Sequence, residues 1–294
     1  MVDIELIKSA NYKVAIDCVN SVGGIAIPKL LKVLGVNKVV ELYCEPTGRF
    51  PHNPEPLPEH LSDISKAVVD NKADIGFAVD PDVDRLAIIN EDGTMFGEEY
   101  TLVAVADYVL NNKKGWKSRF YRGNTVSNLS STRALRDITE KYGGKYIAAA
   151  VGEVNVVEAM KASNSVIGGE GNGGIIYSNL HYGRDALVGI ALFLTHLAKS
   201  KKKCSVLRRG YPDYFISKNK IELSPQINID EIFLRIKEKY KNCPVNTVDG
   251  IKIEFEKEWV HIRKSNTEPI IRIYAESYSE EEANELCKKF MAMF

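Results

Sequence analysis

Short apolar segments alternate with helical segments through the first part of the chain, and this alternation limits the fold more than any other feature. The run KVAIDC at residues 13–18 predicts a buried strand, because it is short, apolar and followed by loop-forming residues. Helices are predicted at residues 25–34 and 61–71, with further strands at 39–43 and 73–79. Strands that alternate with helices indicate an α/β layer with a largely parallel sheet.

The same order of elements then begins again. Helices are predicted at residues 100–110, 131–142 and 154–161, and strands at 125–129, 146–150 and 165–169. After a lysine-rich segment, strands at 251–255, 259–263 and 270–275 and a last helix at 279–294 indicate a smaller unit. We therefore expect an α/β protein with two successive mixed, mostly parallel α/β sheet domains (residues 1–100 and 101–211) and a small α+β C-terminal domain (residues 212–294).

Composition argues against several classes of partner. Lysine plus arginine and aspartate plus glutamate both number 39, so no net charge attracts the chain to nucleic acid or an anionic membrane. The five cysteines are scattered, which argues against a zinc module or a disulfide framework. The N-terminal residues lack a secretion-signal pattern, and the most apolar helix, at residues 186–198, is too short to cross a bilayer. We expect a cytoplasmic protein.

Three aspartates two residues apart follow the third predicted strand, in the sequence DPDVDR. Side chains two apart on an extended backbone point the same way, so Asp80, Asp82 and Asp84 are expected to converge. Converging carboxylates stay ionised only beside a cation, and a hard divalent ion such as Mg²⁺ prefers oxygen ligands. Arg85 would offer a bidentate donor to a phosphate at the same place.

Two other interpretations of this segment compete with a metal site of that kind. Glu91 is the twelfth residue counted from Asp80, as in an EF-hand loop. The sixth position, however, is Arg85, where the sharp turn of an EF-hand needs glycine. A plain acidic turn is the second alternative, and the position of the three aspartates between two apolar strands argues against it.

A glycine-rich loop, GGEGNGG, occupies residues 168–174. Its glycines allow sharp turns and a close approach to a ligand, and they leave Glu170 and Asn172 as polar groups able to bind hydroxyl groups. The segment IIYS that follows predicts a strand, so a dinucleotide-binding loop that opens a helix is disfavoured. A simple hairpin turn remains an alternative for this loop taken alone.

A third polar loop, RKSNTEP, begins at Arg263 and is followed by a further arginine at position 272. Serine, asparagine and threonine in a row offer side-chain and backbone donors around a concave turn, and the two arginines bracket it. This pattern is typical of a phosphate-binding loop. A capped turn between two strands is the alternative.

Taken together and in this order, the three loops resemble those of the α-D-phosphohexomutase family, which includes phosphomannomutase, phosphoglucomutase and phosphoglucosamine mutase. DPDVDR is similar to the family's metal loop, GEGNGG to its sugar loop and RKSNTEPIIR to its phosphate-binding loop. FPHNPEPLPE is similar to the proline-rich stretch early in the family's second domain. The resemblance covers nearly the whole chain.

The resemblance implies a mechanism in which a phosphoserine gives its phosphoryl group to a hexose phosphate, and the bisphosphorylated intermediate turns over and returns its other phosphate. It implies that Asp80, Asp82 and Asp84 hold Mg²⁺ and that Arg85 steadies the transferred group. By the same match, the sugar contacts are Glu170, Gly171 and Asn172, with His181 and Arg184 of the HYGRD segment as further contacts. The phosphate contacts are Arg263, Ser265, Asn266, Thr267 and Arg272.

Two departures from the family pattern bear on activity. The family's serine loop, of the Ser-His-Asn-Pro type, does not occur; His52-Asn53-Pro54 is similar to its end but follows Phe50-Pro51. Glu153 stands in a region where relatives often carry a basic substrate-binding residue.

We therefore expect a chain that starts at the family's second domain and has the missing N-terminal serine domain as a partner. Alone, it is expected to bind hexose phosphates weakly at most and to convert none. A phosphoglucosamine mutase, a noncatalytic sugar-phosphate-binding protein and a metal-dependent phosphatase remain alternatives.

Overall fold

The computed structural model describes residues 1–112, 123–223, 228–265 and 268–294. Two sheets have four strands each and share one arrangement. In spatial order the first consists of β2 (Lys38–Leu42), β1 (Lys13–Asp17), β3 (Ile75–Val79) and β4 (Leu86–Asn90), and the second of β6 (Tyr146–Ala149), β5 (Thr125–Asn128), β7 (Ile167–Glu170) and β8 (Gly174–Tyr177). In each sheet the last strand is antiparallel and the others are parallel. The two mixed, mostly parallel sheets are as predicted.

Helices connect and cover these strands. In chain order they are α1 (Ile4–Ala10), α2 (Gly23–Val33), α3 (Ser62–Asp70), α4 (Glu98–Asn111), α5 (Ala134–Lys141), α6 (Glu153–Ser163), α7 (Ala186–Ser200) and α8 (Cys204–Arg208). The start of α7 illustrates how the sequence sets a boundary. Asp185 accepts hydrogen bonds from the N–H groups of Leu187 and Val188, which would otherwise lack partners in the first turn.

The first two units share one hydrophobic core. Ten of the 14 residues of α4 and ten of the 15 residues of α7 are buried, as expected of helices packed on nearly all sides. The ring of Phe193 in α7 packs edge-on against Phe77 of β3, with 6.4 Å between ring centroids, and against Phe96 at 5.1 Å. The shared core fixes the strand that leads into the aspartate loop relative to the second unit.

The third unit contains an antiparallel sheet. Its strands, in spatial order, are β10 (Val245–Asn246), β11 (Ile251–Glu254), β12 (Trp259–Lys264), β13 (Ile270–Ser277) and β9 (Phe215–Glu222). Helices α9 (Ile229–Lys239) and α10 (Glu280–Met291) pack on one face over an isoleucine-rich core. The sequence argument missed α1, α8, β9, α9 and the two-residue strand β10. β9 is an edge strand with polar residues on both faces, so it lacks a clean alternation.

The other face of this sheet docks on the second unit through buried polar contacts. The fully buried carboxylate of Glu276 accepts hydrogen bonds from Trp259 Nε1 at 2.6 Å and from the backbone N–H of Arg133 at 3.1 Å. Lys252 Nζ donates to the carbonyl oxygen of Leu129 at 2.8 Å. These contacts set the orientation of the β12–β13 hairpin. The domain boundaries near residues 100 and 211 stay a prediction.

Among the helices of the described residues, none combines the length and the apolar character that crossing a membrane requires.

Candidate functional site

Asp80, Asp82 and Asp84 lie together at the carboxyl end of β3. One carboxylate oxygen from each lies within 4.8 Å of the other two. They converge because the chain turns, and not because it is extended, so that step of the sequence argument was wrong. Val83 has a φ of 62° and its N–H donates to the carbonyl of Asp80 at 3.2 Å. A β-branched residue in this conformation is strained, and such strain concentrates at functional sites.

The donor atoms of this turn fit a hard divalent cation. Asp80 Oδ1 accepts the backbone N–H groups of Asp84 and Arg85, both at 3.0 Å, which leaves Oδ2 for a ligand. Asp84 Oδ1 is buried and accepts no hydrogen bond from the described residues, a costly state that a cation relieves. Oxygens about 2.0–2.1 Å from Mg²⁺ lie at most about 4.2 Å apart, so the three carboxylates need to close only slightly.

The raised pKa of Asp80 also fits a cation site. Burial raises the pKa of Asp80 to about 7, and the neighbouring Asp84 and Asp82 carboxylates contribute in the same direction, against the Arg85 N–H that lowers it. A bound divalent cation would favour the ionised form of all three groups.

Glu91 takes no part in the aspartate cluster. Its carboxylate accepts the backbone N–H of Ser205 at 3.0 Å and the Ser205 hydroxyl at 2.6 Å. The EF-hand alternative, which needs Glu91 as a ligand, is therefore excluded.

Arg85 extends from the end of the aspartate turn toward the proline-rich loop. Its Nη1 lies 3.3 Å from Glu55 Oε1, and its Nε lies 3.7 Å from Asp80 Oδ2. The side chain of Arg85 remains 29% exposed, so its guanidinium is accessible to an anion. Sequence reasoning missed Glu55, although an acidic residue in a proline-rich loop before a metal motif was a usable signal.

The glycine-rich loop contacts the aspartate loop directly. The backbone N–H of Leu86 donates to the carbonyl of Gly173 at 3.1 Å, and Arg85 pairs with Gly174 as an isolated antiparallel bridge. Gly173 has a φ of 85°, and a Cβ at this position would lie 2.4 Å from the carbonyl oxygen of Leu86. Glycine is thus required here by both conformation and close approach.

Glu170 is buried and held by protein donors. Its Oε1 accepts Asn128 Nδ2 at 2.8 Å and the backbone N–H of Gly152 at 3.1 Å, while Oε2 lies 3.0 Å from Arg184 Nη1. One lone pair of Oε2 therefore remains for a hydroxyl group. Within the same loop, Asn172 Oδ1 accepts the Gly174 N–H at 3.2 Å, and the Gly171 N–H donates to Ser131 Oγ at 3.1 Å. Direct contact of Glu170, Gly171 or Asn172 with a sugar stays a prediction.

Arg184, predicted to contact the substrate, lies among three carboxylates. Its Nη2 is 2.5 Å from Asp84 Oδ2, its Nη1 is 3.0 Å from Glu170 Oε2 and its Nε is 3.3 Å from Glu153 Oε2. Glu153 also accepts the backbone N–H of Arg184 at 2.9 Å. In this arrangement Arg184 connects the aspartate loop to the glycine-rich loop, and Glu153 anchors it. The half-exposed His181 lies beside them and pairs with Asp185 at 3.0 Å.

Arg263, Ser265 and Arg272 lie in the β12–β13 hairpin, where Arg263 and Arg272 stand directly opposite each other. Arg272 Nη2 is 2.7 Å from Glu268 Oε2, and its Nη1 donates to the Tyr274 hydroxyl at 3.3 Å. The Nε of Arg263 is buried without a partner among the described residues. Asn266 and Thr267, the other two predicted phosphate contacts, lie outside the described residues.

A chain of contacts ties this hairpin to the glycine-rich loop. His261, two residues before Arg263, has its Nδ1 at 2.9 Å from Ser130 Oγ, and the next residue, Ser131, binds the N–H of Gly171. Burial lowers the pKa of His261 to about 4, so the ring is neutral in this contact. Contacts of the buried His261 and Ser131 therefore connect the β12–β13 hairpin with the glycine-rich loop, which itself contacts the aspartate loop.

A cavity of about 920 Å³ lies elsewhere, against α1 and the start of α8, and it is lined in part by Lys72, Lys201 and Cys204. It contains none of the predicted site residues. We therefore place the functional site by the chemistry of its residues and not by cavity volume.

Comparison with known proteins matches three models of one family to successive parts of the chain. Models of the phosphoglucomutase/phosphomannomutase family match residues 1–93 (alpha/beta/alpha domain II), 97–214 (alpha/beta/alpha domain III) and 226–293 (C-terminal domain). A phosphoglucomutase/phosphomannomutase of Thermococcus kodakarensis is 38% identical over 287 residues, 97% of this chain and 61% of the relative. A probable phosphoglucosamine mutase of Methanopyrus kandleri is 31% identical, over 95% of this chain and 60% of the relative.

Among solved structures, a phosphoglucomutase/phosphomannomutase family protein of Burkholderia thailandensis superposes with a TM-score of 0.82 at 26% identity, over 99% of this chain and 62% of the other. The chain thus spans about three fifths of the length of the relatives it matches. With family models matched along nearly its whole length, the chain belongs to the phosphoglucomutase/phosphomannomutase family.

Proposed function

We propose that this chain supplies the metal-binding, sugar-binding and phosphate-binding parts of a phosphohexomutase of the phosphomannomutase/phosphoglucomutase type, which interconverts hexose 1-phosphates and hexose 6-phosphates. The contact between the aspartate loop and the glycine-rich loop supports this most strongly. Arg184 bonds to Asp84 and Glu170 at once, so a cation site and a hydroxyl-binding carboxylate come from two units but lie side by side. We place this activity in the cytoplasm, as the scattered cysteines indicate.

Each loop has a distinct task in this proposal. Asp80, Asp82 and Asp84 would hold Mg²⁺, which supplies charge neutralisation for phosphoryl transfer. Arg85 donates to the phosphoryl group that moves, and its pairing with Glu55 limits the directions in which it points. Glu170, fixed by Asn128 and Gly152, accepts hydroxyl groups of the hexose and so orients its ring.

The β12–β13 hairpin binds the phosphate that does not react. Arg263 and Arg272 provide guanidinium donors from opposite strands, and Ser265 lies at the turn. A grip at the far end of the sugar supplies binding energy that orients the reacting end.

Phosphoglucosamine mutase is the second candidate for the parent activity. Several relatives carry that name, among them the one from Methanopyrus kandleri and one at 33% identity from Pyrococcus furiosus. Titrations with glucose 6-phosphate, mannose 6-phosphate and glucosamine 6-phosphate distinguish the two, since the amino group at carbon 2 replaces a hydroxyl. A markedly lower Kd for the amino sugar would favour this second candidate.

We propose further that the chain alone converts no substrate. The family mechanism needs a phosphoserine, and His52, in the segment similar to the end of the serine loop, follows Phe50-Pro51 and bonds to Asp17 at 3.1 Å. A coupled assay of glucose 1-phosphate conversion should show no rate above background for the chain alone. Conversion should appear when the serine-bearing first domain of a complete family member is added.

Conversion by the chain alone would contradict the proposed inactivity. Binding of hexose phosphates without any conversion in the mixture would favour the noncatalytic binding protein instead.

A further inference from the structure

The position of Lys220 on β9 bears on the proposed phosphate site, and its role rests on the proposed function. The face of the third sheet that looks toward the second unit is built in cross-strand rows of directly opposed residues. In an antiparallel sheet such residues share a face, with Cβ atoms about 4.5–5.5 Å apart. From the docked end of this face to the open hairpin, the rows differ in whether their charged groups are paired.

The docked rows have their polar groups paired. Trp259 and Glu276 stand opposite each other, and Glu276 accepts hydrogen bonds from the Trp259 indole and from the backbone N–H of Arg133 in the second unit. In the next row, His261 lies 2.9 Å from Ser130 Oγ, and Lys218 pairs with Glu98 at 2.5 Å. Each cationic or carboxylate group in these rows therefore has a partner across the interface.

The row at the open end is different, because it consists only of cations. Arg263 stands opposite Arg272, and Arg272 stands opposite Lys220. Like charges placed directly opposite destabilise a sheet. Glu268 forms an ion pair with Arg272 and so offsets one of these three charges. Lys220 forms no ion pair with any described residue. Three cations in one row, held on a rigid sheet, form a site for a multiply charged anion.

We infer that Lys220 is a third cation of the phosphate site, and that it contacts the phosphate monoester dianion that Arg263 and Arg272 also bind. Neighbouring strands are about 4.8 Å apart, so a phosphate above the middle strand is within reach of side chains from both flanking strands. A flexible lysine at the edge supplies a point charge, while the arginines supply directed donors.

A simpler explanation is that Lys220 protects the sheet edge. β9 is an edge strand, and exposed lysines on edge strands prevent pairing with other chains. The two explanations differ in what the charge does to ligand affinity, so binding measurements separate them.

The test compares the Kd of glucose 6-phosphate, by titration calorimetry at low ionic strength, for the wild-type chain and four variants. Lys220→Met should raise Kd about fivefold to tenfold, the loss of one charged contact. Lys220→Arg should stay within about twofold of wild type, because it keeps the charge. Lys264→Met is the matched control, since Lys264 stands opposite Ile271 on the other face and should also stay within about twofold.

Thermal unfolding gives a second measurement, which should not change if Lys220 only protects the sheet edge. Without phosphate, Lys220→Met should raise Tm by about 1–2 °C, because it removes a like-charge contact. With saturating glucose 6-phosphate, the variant should gain less Tm than the wild type. Stability and affinity thus change in opposite directions.

Arg263→Met separates this inference from the proposed function. If it weakens binding while Lys220→Met binds like wild type, the phosphate site stands and the role of Lys220 is overturned in favour of edge protection. If the wild type fails to bind, or Arg263→Met also binds like wild type, the phosphate site itself is overturned.

Discussion

Glu276 provides the sharpest stability prediction, because it lies fully buried where the second and third units meet. Replacing it with alanine leaves the Trp259 indole N–H and the Arg133 backbone N–H without their acceptor. It also leaves the Arg133 side chain, 5% exposed with its Nε 3.8 Å from the carboxylate, as an uncompensated buried charge. Breaking a buried pair on one side costs about 3–5 kcal/mol. The Arg133 guanidinium keeps carbonyl acceptors at Phe255 and Glu256, so we expect about 3 kcal/mol.

Glu254→Ala is the matched control for this prediction. Glu254 pairs with Arg136 across the same interface, but the two side chains are 30% and 26% exposed. An ion pair in that environment contributes about 0–1 kcal/mol. The two variants remove the same residue type from the same sheet, so burial is the main difference between them.

Urea unfolding followed by tryptophan fluorescence measures both variants. The chain has two tryptophans, so a Trp116→Phe background leaves Trp259 as the reporter of the third unit. We expect the midpoint to fall much further for Glu276→Ala than for Glu254→Ala, at similar m-values. Equal losses below about 1 kcal/mol would refute the argument that a buried network orients the β12–β13 hairpin.

Three further predictions concern pH, the glycine-rich loop and the cation. Burial lowers the pKa of His261 from 6.5 to about 4, so acidification protonates the unfolded chain first. The free energy of unfolding should therefore fall by about 2 kcal/mol between pH 7.5 and pH 5. A His261→Gln variant should lose this part of the pH dependence in urea unfolding. Gly173→Ala should cost at least about 1 kcal/mol more than Gly143→Ala, since both have positive φ but a Cβ at residue 143 meets nothing within 4 Å; equal midpoints would contradict the close approach. Asp84→Asn should weaken Mn²⁺ binding at least about tenfold by calorimetry, whereas Asp92→Asn, outside the cluster, should leave it unchanged.

Sequence patterns predicted the α/β layers because buried strands and amphipathic helices leave periodic apolar signals. KVAIDC at residues 13–18 corresponds to β1 at Lys13–Asp17, and the repeated element order corresponds to two sheets of the same strand order. The edge strand β9 escaped prediction for a physical reason. Polar residues stand on both of its faces, Ser217 and Asn219 on one and Lys218 and Lys220 on the other, so apolar residues do not alternate along it.

The site was predicted as three separate loops, but the contacts between them were not. Nothing in the sequence brings Asp84, Glu153 and Glu170 around Arg184, because these residues are far apart in the chain and belong to different elements. The convergence of the aspartates was predicted correctly from an incorrect local geometry. A left-handed Val83 is a tertiary outcome that propensity disfavours.

The central claim is that loops from three units form one hexose-phosphate site. A crystal structure of this chain with Mg²⁺ and glucose 1,6-bisphosphate tests it most directly. We predict one phosphate on Arg263 and Arg272, sugar hydroxyls at Glu170, and the ion on Asp80, Asp82 and Asp84, with the second phosphate toward Arg85. A bisphosphate bound away from the hairpin, or loops that open onto separate surfaces in the bound state, would contradict the account.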